Sequence, residues 1–286
     1  MISPFEFVQD LFNPNLAFLA RALAAVVIAS VVTGIVGCHV VMRGMVFIGD
    51  AVAHSVFPGL AIAFVMGGSL ALGGLLAGVI TAIMVALFSQ NQKLKEDSVI
   101  GIFFAGSFAL GITLISLAPG YSGSVQDFLF GSIVGISGSD VAQTAGIAAT
   151  LILVLGVFHQ EIVTVSLDKE SARAAGLPVL ALDVLLYVVV TVSVVISLQI
   201  LGNVLVLALL VIPAASARLV CRTLGRMMVF APLFGVLTSA TGLYFSWAFN
   251  LPTGGVIVLT MIAGFLVSSA VSALRGKLKG PALMTG

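Results

Sequence analysis

Residues 49–59 read Gly49-Asp50-Ala51-Val52-Ala53-His54-Ser55-Val56-Phe57-Pro58-Gly59, an apolar stretch that holds one carboxylate and one imidazole. Positions i and i+4 of a helix lie on one face with Cβ atoms roughly 5–6 Å apart, so Asp50 and His54 can bind the same metal ion. Pro58 lacks an N–H and clashes with the preceding turn, which predicts a bend or break just after the pair. An acid, a histidine and a broken helix inside a membrane segment indicate an ion pathway.

The composition around this stretch is that of a membrane protein. Of the 286 residues, 60% are hydrophobic and 8% are charged, whereas about 25% of the residues in ordinary soluble domains are charged. Many segments reach the roughly 20 apolar residues that cross a bilayer, and they lack the alternation of barrel strands. We predict an all-α polytopic protein of the cell membrane, with one transmembrane domain over residues 1–286, lipid around it and no cleavable signal peptide.

Nine apolar segments are long enough to be spans, or eight if one of the shorter segments is re-entrant. Their predicted ranges are 16–41, 46–66, 69–89, 98–117, 139–159, 181–200, 202–220, 227–249 and 254–273. A Gly/Ser-rich segment at 118–138, which contains Asp127 and a short helical run, separates the fourth span from the fifth. The two cysteines, Cys38 and Cys221, lie in different segments, and we predict no disulfide between them.

The basic residues predict the orientation, because Lys and Arg are retained on the cytoplasmic side of a membrane. If the C-terminus is inside, all basic residues except Arg21 fall at cytoplasmic edges or loops. These residues are Arg43, Lys93, Lys95, Lys169, Arg173, Arg218, Arg222, Arg226, Arg275, Lys277 and Lys279, and the acids left outside are Glu6, Asp10, Asp127 and Asp140. We therefore expect an external N-terminus and a cytoplasmic tail at about 274–286.

The Asp50/His54 pair suits a borderline divalent ion such as Mn²⁺ or Zn²⁺, because Ca²⁺ prefers more oxygens and Cu(I) prefers sulfur. We expect such an ion to be transported cargo rather than a permanently bound cofactor. Two ligands are too few for tight binding, which favours a homodimer whose second copy supplies two more, or weak binding suited to passage. The alternative is a buried hydrogen-bonded pair that locks two helices together, although intramembrane ionisable residues are functional by default.

Other polar residues are less informative. Cys38 and His39 are adjacent on a helix and cannot chelate one ion together, so we predict a packed cysteine and an interfacial histidine, with His39 kept as a pathway candidate. Arg218, Arg222 and Arg226 have a spacing of four, which predicts one helical face directed at the inner interface, a partner or lipid headgroups.

The charged loop at 166–178 predicts two turns of capped amphipathic helix on the cytoplasmic side. Ser166 or Asp168 can cap its start, and Gly176 followed by Pro178 ends it. A mere connector is the alternative, but so much capping favours a docking element for a cytoplasmic partner.

The chain contains no P-loop, because Gly276-Lys277 is followed by Leu278. It is therefore not expected to be an enzyme, and a net charge of +1 gives no reason to expect a nucleic-acid partner. Three alternatives remain: a proton-coupled secondary transporter, an intramembrane metallohydrolase and an export permease. The first would need further intramembrane acids, of which Asp183 is the only other candidate, and the second lacks a third ligand near Asp50 and His54.

Four motifs together resemble the permease subunits of the manganese/zinc/iron ATP-binding-cassette importers, over about residues 16–272. They are Arg43-Gly44-Met45 leading into Gly49-Asp50-xxx-His54-xxx-Pro58-Gly59, then Asp168-x-Glu170-x-Ala172-xxx-Gly176, the span 202–214, and Leu251-Pro252-Thr253-Gly254.

This resemblance implies a cobalamin-importer-like (type II) permease: a homodimeric pore with two cytoplasmic ATP-binding subunits and an external metal-binding protein that delivers the ion. Asp50 and His54 would be the pore ligands. The segment at about 166–178 would be the coupling helix. Its matching residues are Asp168, Glu170, Ala172 and Gly176. Asn250 stands where an acid is expected in many relatives, so a receiving site there would be less charged. The resemblance does not identify the metal.

Overall fold

The computed structural model describes residues 2–90, 93–117 and 135–278 of the chain. Short turns connect a series of helices, which we number in chain order. They are α1 (Pro4–Leu11), α2 (Ala17–Arg43), α3 (Ile48–Ser55), α4 (Phe57–Val65), α5 (Leu70–Phe88), α6 (Glu96–Ser116), α7 (Gly138–Val157), α8 (His159–Leu167), α9 (Lys169–Ala174), α10 (Val179–Leu201), α11 (Asn203–Val220), α12 (Leu224–Phe249) and α13 (Thr253–Leu278). A 3-10 turn, Pro14–Leu16, leads into α2.

Within these described ranges, nine helical segments are long and apolar enough to cross a membrane. They match the nine predicted segments one to one, with ends that differ by a few residues, and α3 and α4 together form the second. The all-α prediction and the count of nine are therefore supported. Most of the predicted Gly/Ser-rich segment, including Asp127, and the end of the C-terminal tail lie outside the described residues.

The spans differ in how much of their surface the chain itself covers. α2 and α10 are among the most buried spans, and α6 and α13 are the least buried. α2 packs against α11 and α12, α10 packs against α5, and α3 lies against α5, α6, α10 and α11. A helix that is apolar on all sides needs lipid or protein around it, so the outer helices present the surface expected in a bilayer.

The second span is broken, as Pro58 predicts. α3 ends at Ser55, Val56 forms the turn, and Pro58 occupies the first turn of α4, where its missing N–H costs no helical hydrogen bond. α4 then packs closely on α5. A Cβ atom on Gly59 would lie 1.9 Å from the carbonyl oxygen of Gly73, so only glycine permits this approach. The break and the close contact together fix the direction of α4 beyond the Asp50/His54 pair.

The two ends of the bundle carry different side chains. α2 has 27 residues and is about 40 Å long. Near its start, α1 packs on α12, where Asp10 accepts a hydrogen bond from the indole nitrogen of Trp247 at 2.9 Å. At its other end lie Arg43 and several further basic residues, including Lys169. The basic residues with described contacts thus gather at one end, as the sequence predicts, although which end faces the cytoplasm stays a prediction.

The predicted alignment of Arg218, Arg222 and Arg226 on one helical face is wrong. α11 ends before Arg222 and α12 begins after it, because the backbone becomes extended at Cys221. The three arginines therefore lie on two helices and in the turn between them. Arg218 donates a hydrogen bond to the carbonyl oxygen of Val41 at 2.8 Å and so joins α11 to the end of α2.

Candidate functional site

The structure brings Asp50 and His54 together on one face of α3. Asp50 lies in the first turn of this helix and His54 in its last turn, and Nε2 of His54 is 3.5 Å from Oδ1 of Asp50. This separation is at the long limit for a hydrogen bond. Two ligand atoms that each lie about 2.1 Å from one metal ion, at a tetrahedral angle, are roughly 3.4 Å apart. The pair therefore has the spacing of two ligands of one ion.

Both side chains remain partly accessible although they lie in a membrane span. The side chain of Asp50 is 38% exposed and that of His54 is 18% exposed. Nδ1 of His54 is buried and has no hydrogen-bond partner among the described residues. A histidine that holds a resident metal almost always donates its other ring N–H to a partner. The unpartnered Nδ1 therefore favours a transported ion over a permanently bound one.

Three phenylalanines surround the imidazole of His54. Phe57 stacks on it at a centroid distance of 5.8 Å, and Phe104 and Phe108 of α6 lie 5.4 and 5.0 Å away. These rings exclude water from one side of the imidazole and strengthen the electrostatic interactions of any ion bound there. We did not identify Phe104 and Phe108 from the sequence, although their own i, i+4 spacing is the signal that could have shown them.

Asn203 is a third residue of the site that the sequence did not single out, after Phe104 and Phe108. It is the first residue of α11, its side chain is mostly buried, and its amide nitrogen lies 3.4 Å from Oδ1 of Asp50. Its own Oδ1 is buried without a partner among the described residues. An unpaired buried amide oxygen beside a carboxylate is a further acceptor that could contact a cation at this point.

One chain offers an incomplete set of ligands. In the described ranges, no group of three or more His, Cys, Asp or Glu side chains could hold a metal ion. Cys38 and Cys221 are both free, as predicted, and Cys38 is buried. The Asp50/His54 pair thus offers two candidate ligand side chains within one chain, and their role as metal ligands stays a prediction.

The loop at 166–178 forms the predicted capped helix, α9. Asp168 is the N-cap and accepts a hydrogen bond from the backbone N–H of Glu170 at 2.9 Å. The hydroxyl of Ser171 also donates to this carboxylate, and these hydrogen bonds lower the pKa of Asp168, the Ser171 side chain contributing most. The cap therefore stays ionised at neutral pH. Ser166, the other predicted cap, lies in α8 instead and accepts a hydrogen bond from Nε of Arg43 at 2.8 Å.

Glycine ends α9 in the way that its position predicts. Gly176 has a left-handed φ of 80°. Its N–H donates to the carbonyl of Arg173, and the N–H of Leu177 donates to the carbonyl of Ala172, both at 3.0 Å. These two bonds define a Schellman motif. Asp168, Glu170 and Gly176 are exposed, but Ala172 is fully buried against its own chain.

The remaining predicted residues lie in other surroundings. The interfacial assignment of His39 is wrong: the residue is 1% exposed, because α8 packs over the end of α2, and its ring lies 5.9 Å from that of His159. Asn250 is exposed and ends α12 in a left-handed conformation with φ of 52°. Asparagine tolerates this conformation better than most residues, so the backbone alone accounts for Asn250. No described contact joins His39 or Asn250 to the Asp50/His54 pair.

Comparisons with known proteins show which proteins this chain resembles in sequence and fold. The family described as the ABC 3 transport family matches residues 15–272. The chain is 36% identical over 262 residues to the manganese transport system membrane protein MntC of Halalkalibacterium halodurans, covering 92% of this chain and 90% of that protein. It is 34% identical over 274 residues to the manganese import system permease protein ScaB of Streptococcus gordonii, covering 96% and 98%. Among solved structures it is similar to PsaBC from Streptococcus pneumoniae in complex with Fab, with a TM-score of 0.79, 34% identity, and coverage of 93% of this chain and 95% of that one.

Proposed function

The chain belongs to the ABC 3 transport family, and from this premise we propose that it is the membrane-spanning subunit of an ATP-driven importer of a divalent transition-metal ion. The observation that carries the proposal is the Asp50/His54 pair, which lies inside a membrane span, partly accessible, at a ligand-to-ligand distance of 3.5 Å. A carboxylate with an imidazole favours Mn²⁺ or Zn²⁺. Because the relatives MntC and ScaB are named for manganese, we propose Mn²⁺ as the first candidate.

The incomplete ligand set supports a homodimeric pore. Two chains related by a two-fold axis would present two carboxylates and two imidazoles to one ion. The unpaired amide oxygen of Asn203 would add a further neutral donor on each side. Weak binding within one chain and fuller coordination between two chains suit an ion that must both enter and leave.

The energy must come from other chains, since this chain has no P-loop. We propose that α9 is the coupling helix, which docks on a cytoplasmic ATP-binding subunit through its exposed residues, among them Asp168 and Glu170. An external metal-binding protein would deliver the ion. ATP binding would then move α9, reorient the spans that carry Asp50 and His54, and release the ion inward.

The proton-coupled alternative would require a second intramembrane acid besides Asp50. Asp183, the only other intramembrane acid that the sequence offered, accepts hydrogen bonds from Arg43 at 2.6 Å and Gln90 at 2.9 Å and lies 3.0 Å from Lys169. Both oxygens of this carboxylate are already engaged by partners, which supports a structural role for Asp183. An export permease differs only in direction, which an uptake measurement decides.

The test of the proposed function is metal uptake by liposomes that contain this chain, its ATP-binding partner and its external binding protein. We expect uptake of Mn²⁺ that requires ATP on the side of the membrane where the ATP-binding subunit lies. Uptake of Zn²⁺ and Fe²⁺ should be weaker. Ca²⁺ should not be taken up, because it prefers six to eight oxygen ligands, which the site does not supply. Uptake driven by a proton gradient without ATP, or movement of metal in the opposite direction, would refute the importer assignment.

The proposed orientation can be tested separately from transport. A reporter active only in the cytoplasm should be active when fused after Gly286 and inactive when fused before Met1, because the nine spans found among the described residues would place the two termini on opposite sides. The complementary reporter, active only outside the cell, should give the reverse result. If both fusions report the same side, the number of spans is even.

A further inference from the structure

A cluster of charged and amide side chains lies at the end of α2 opposite α1. Its centre is Asp183 in α10, whose side chain is fully buried and accepts hydrogen bonds from Arg43 and Gln90. Lys169 lies 3.0 Å from the same carboxylate and also pairs with Glu96. We call these five residues, Arg43, Gln90, Glu96, Lys169 and Asp183, the Asp183 cluster. Its four charged members carry two positive and two negative charges.

The members of the cluster come from five parts of the fold. Lys169 begins α9, Glu96 begins α6, Arg43 ends α2, Asp183 belongs to α10, and Gln90 follows the end of α5. A buried carboxylate that loses one of its cations keeps an uncompensated charge in a low-dielectric environment. The cluster therefore ties the position of α9 to the inner ends of four membrane spans.

Two of these spans lead directly to His54 and Asp50. α6 starts at Glu96 and carries Phe104 and Phe108, the rings that contact His54. Eight helical residues from Glu96 to Phe104 correspond to about 12 Å of rigid helix. α2 ends at Arg43 and leads through a short turn into α3, which begins at Ile48.

A third span of the cluster also contacts α3. α10, which carries Asp183, packs against α3 and α5. Tyr187 and Thr191 of α10 lie with Ala51 and Val52 of α3 around a cavity too small to hold more than about one water molecule. Such close packing transmits displacement of α10 to α3.

The cluster also has the means to rearrange. Nη2 of Arg43 is buried and has no hydrogen-bond partner among the described residues, while Nη1 and Nε of the same guanidinium bind Asp183 and Ser166. A donor without a partner allows a second hydrogen-bonding arrangement, and two discrete arrangements are what coupling between distant sites needs.

We propose that the Asp183 cluster transmits movement of α9 to the Asp50/His54 pair, and that Lys169 and Asp183 are positioning residues of the transport cycle. This inference rests on the proposed function, in which α9 receives the movement of an ATP-binding subunit. Lys169 supplies the charge that α9 places against Asp183, whereas Arg173 of α9 donates a hydrogen bond to Gln90 at 2.7 Å. Removal of Lys169 therefore breaks the ionic link between α9 and Asp183.

The test compares ion uptake with ATP hydrolysis in the same liposomes, which contain the complete complex. Lys169→Met removes the charge and keeps most of the length of the side chain. We expect the number of Mn²⁺ ions taken up per ATP hydrolysed to fall about tenfold, within the usual range of coupling between sites, while ATP hydrolysis continues. Lys169→Arg keeps the charge and should retain a ratio near that of the wild type. Lys95→Met is the matched control, because Lys95 is exposed beside Glu96 and lies outside the cluster.

The outcomes separate this inference from its alternatives. A wild-type ratio of ions to ATP in Lys169→Met would overturn it, even if the unfolding temperature fell, since a cluster that only holds helices together affects stability alone. If Lys169→Met does not assemble, Lys169→Gln removes the same charge but keeps a polar end for Glu96 and Asp183, and a normal ratio of ions to ATP in this variant would overturn the inference as well. Absence of ATP-driven uptake by the wild type would refute the proposed function and this inference with it.

Discussion

Asp50→Ala and His54→Ala are each expected to abolish ATP-driven metal uptake by the reconstituted complex. In the proposed homodimeric pore, each substitution would remove one of the two ligands that a chain offers, and so two of four in the symmetric pair. Removal of a group that hydrogen-bonds to a metal ligand typically lowers metal affinity or activity 10–100-fold. Removal of a ligand itself should therefore lower the initial rate of uptake by more than about a hundredfold. The rate is measured with Mn²⁺, at equal amounts of assembled complex.

Asp50→Asn distinguishes the metal site from a structural hydrogen bond. Asparagine has the size of aspartate and can still accept a hydrogen bond from His54, but it lacks the negative charge that binds a cation. If Asp50 is a ligand, Asp50→Asn should lose uptake almost as completely as Asp50→Ala while the complex remains folded. Undiminished uptake in Asp50→Asn and Asp50→Ala would reduce the pair to a helix contact and place the pathway elsewhere.

The parts of the site that depend on neighbours in the chain could be predicted from the sequence. The meeting of Asp50 and His54 follows from helical spacing, and the break before α4 follows from Pro58, because both are local effects. The capping of α9 by Asp168 and its end at Gly176 follow from the same kind of rule. No distant part of the chain has to be placed for any of these.

The parts that depend on distant contacts could not be predicted. His39 was expected at the interface because it lies near the end of an apolar segment, but α8 covers it. Asp183 looked like an isolated acid because its partners are far away in sequence, Arg43 by 140 residues and Gln90 by 93. An apolar pattern shows that a segment lies in the membrane, but in lipid it does not show which face meets which neighbour.

Ala172 is a further example: the helix that contains it was predicted, but the burial of its side chain was not. α9 was predicted with its caps, yet Ala172 faces the chain's own core and not the solvent. A bulky residue at Ala172 would therefore disturb the packing of α9 on α8 and α10 before it reached any partner. We expect Ala172→Trp to lower the yield of folded protein, and it is not a clean test of docking.

Gly176→Trp is the sharper test, and we expect it to abolish metal-stimulated ATP hydrolysis while the chain stays folded. A Cβ atom on Gly176 would meet no described heavy atom within 4 Å, so the bulk of tryptophan projects into the space that a docking partner would occupy. The left-handed backbone at φ of 80° costs any other residue about 1–2 kcal/mol. Gly176→Ala is the matched control, because it has the same backbone strain with almost none of the bulk.

The comparison of the two variants separates strain from docking. If α9 docks on the ATP-binding subunit, Gly176→Ala should retain most of the stimulated hydrolysis and Gly176→Trp should retain almost none, although both unfold at similar temperatures. Equal loss in both variants would mean that the Schellman motif sets the shape of α9 and that bulk at this position meets no partner. Normal hydrolysis in Gly176→Trp would remove the coupling role from this surface, and the ATP-binding subunit would have to dock on another part of the same end of the molecule.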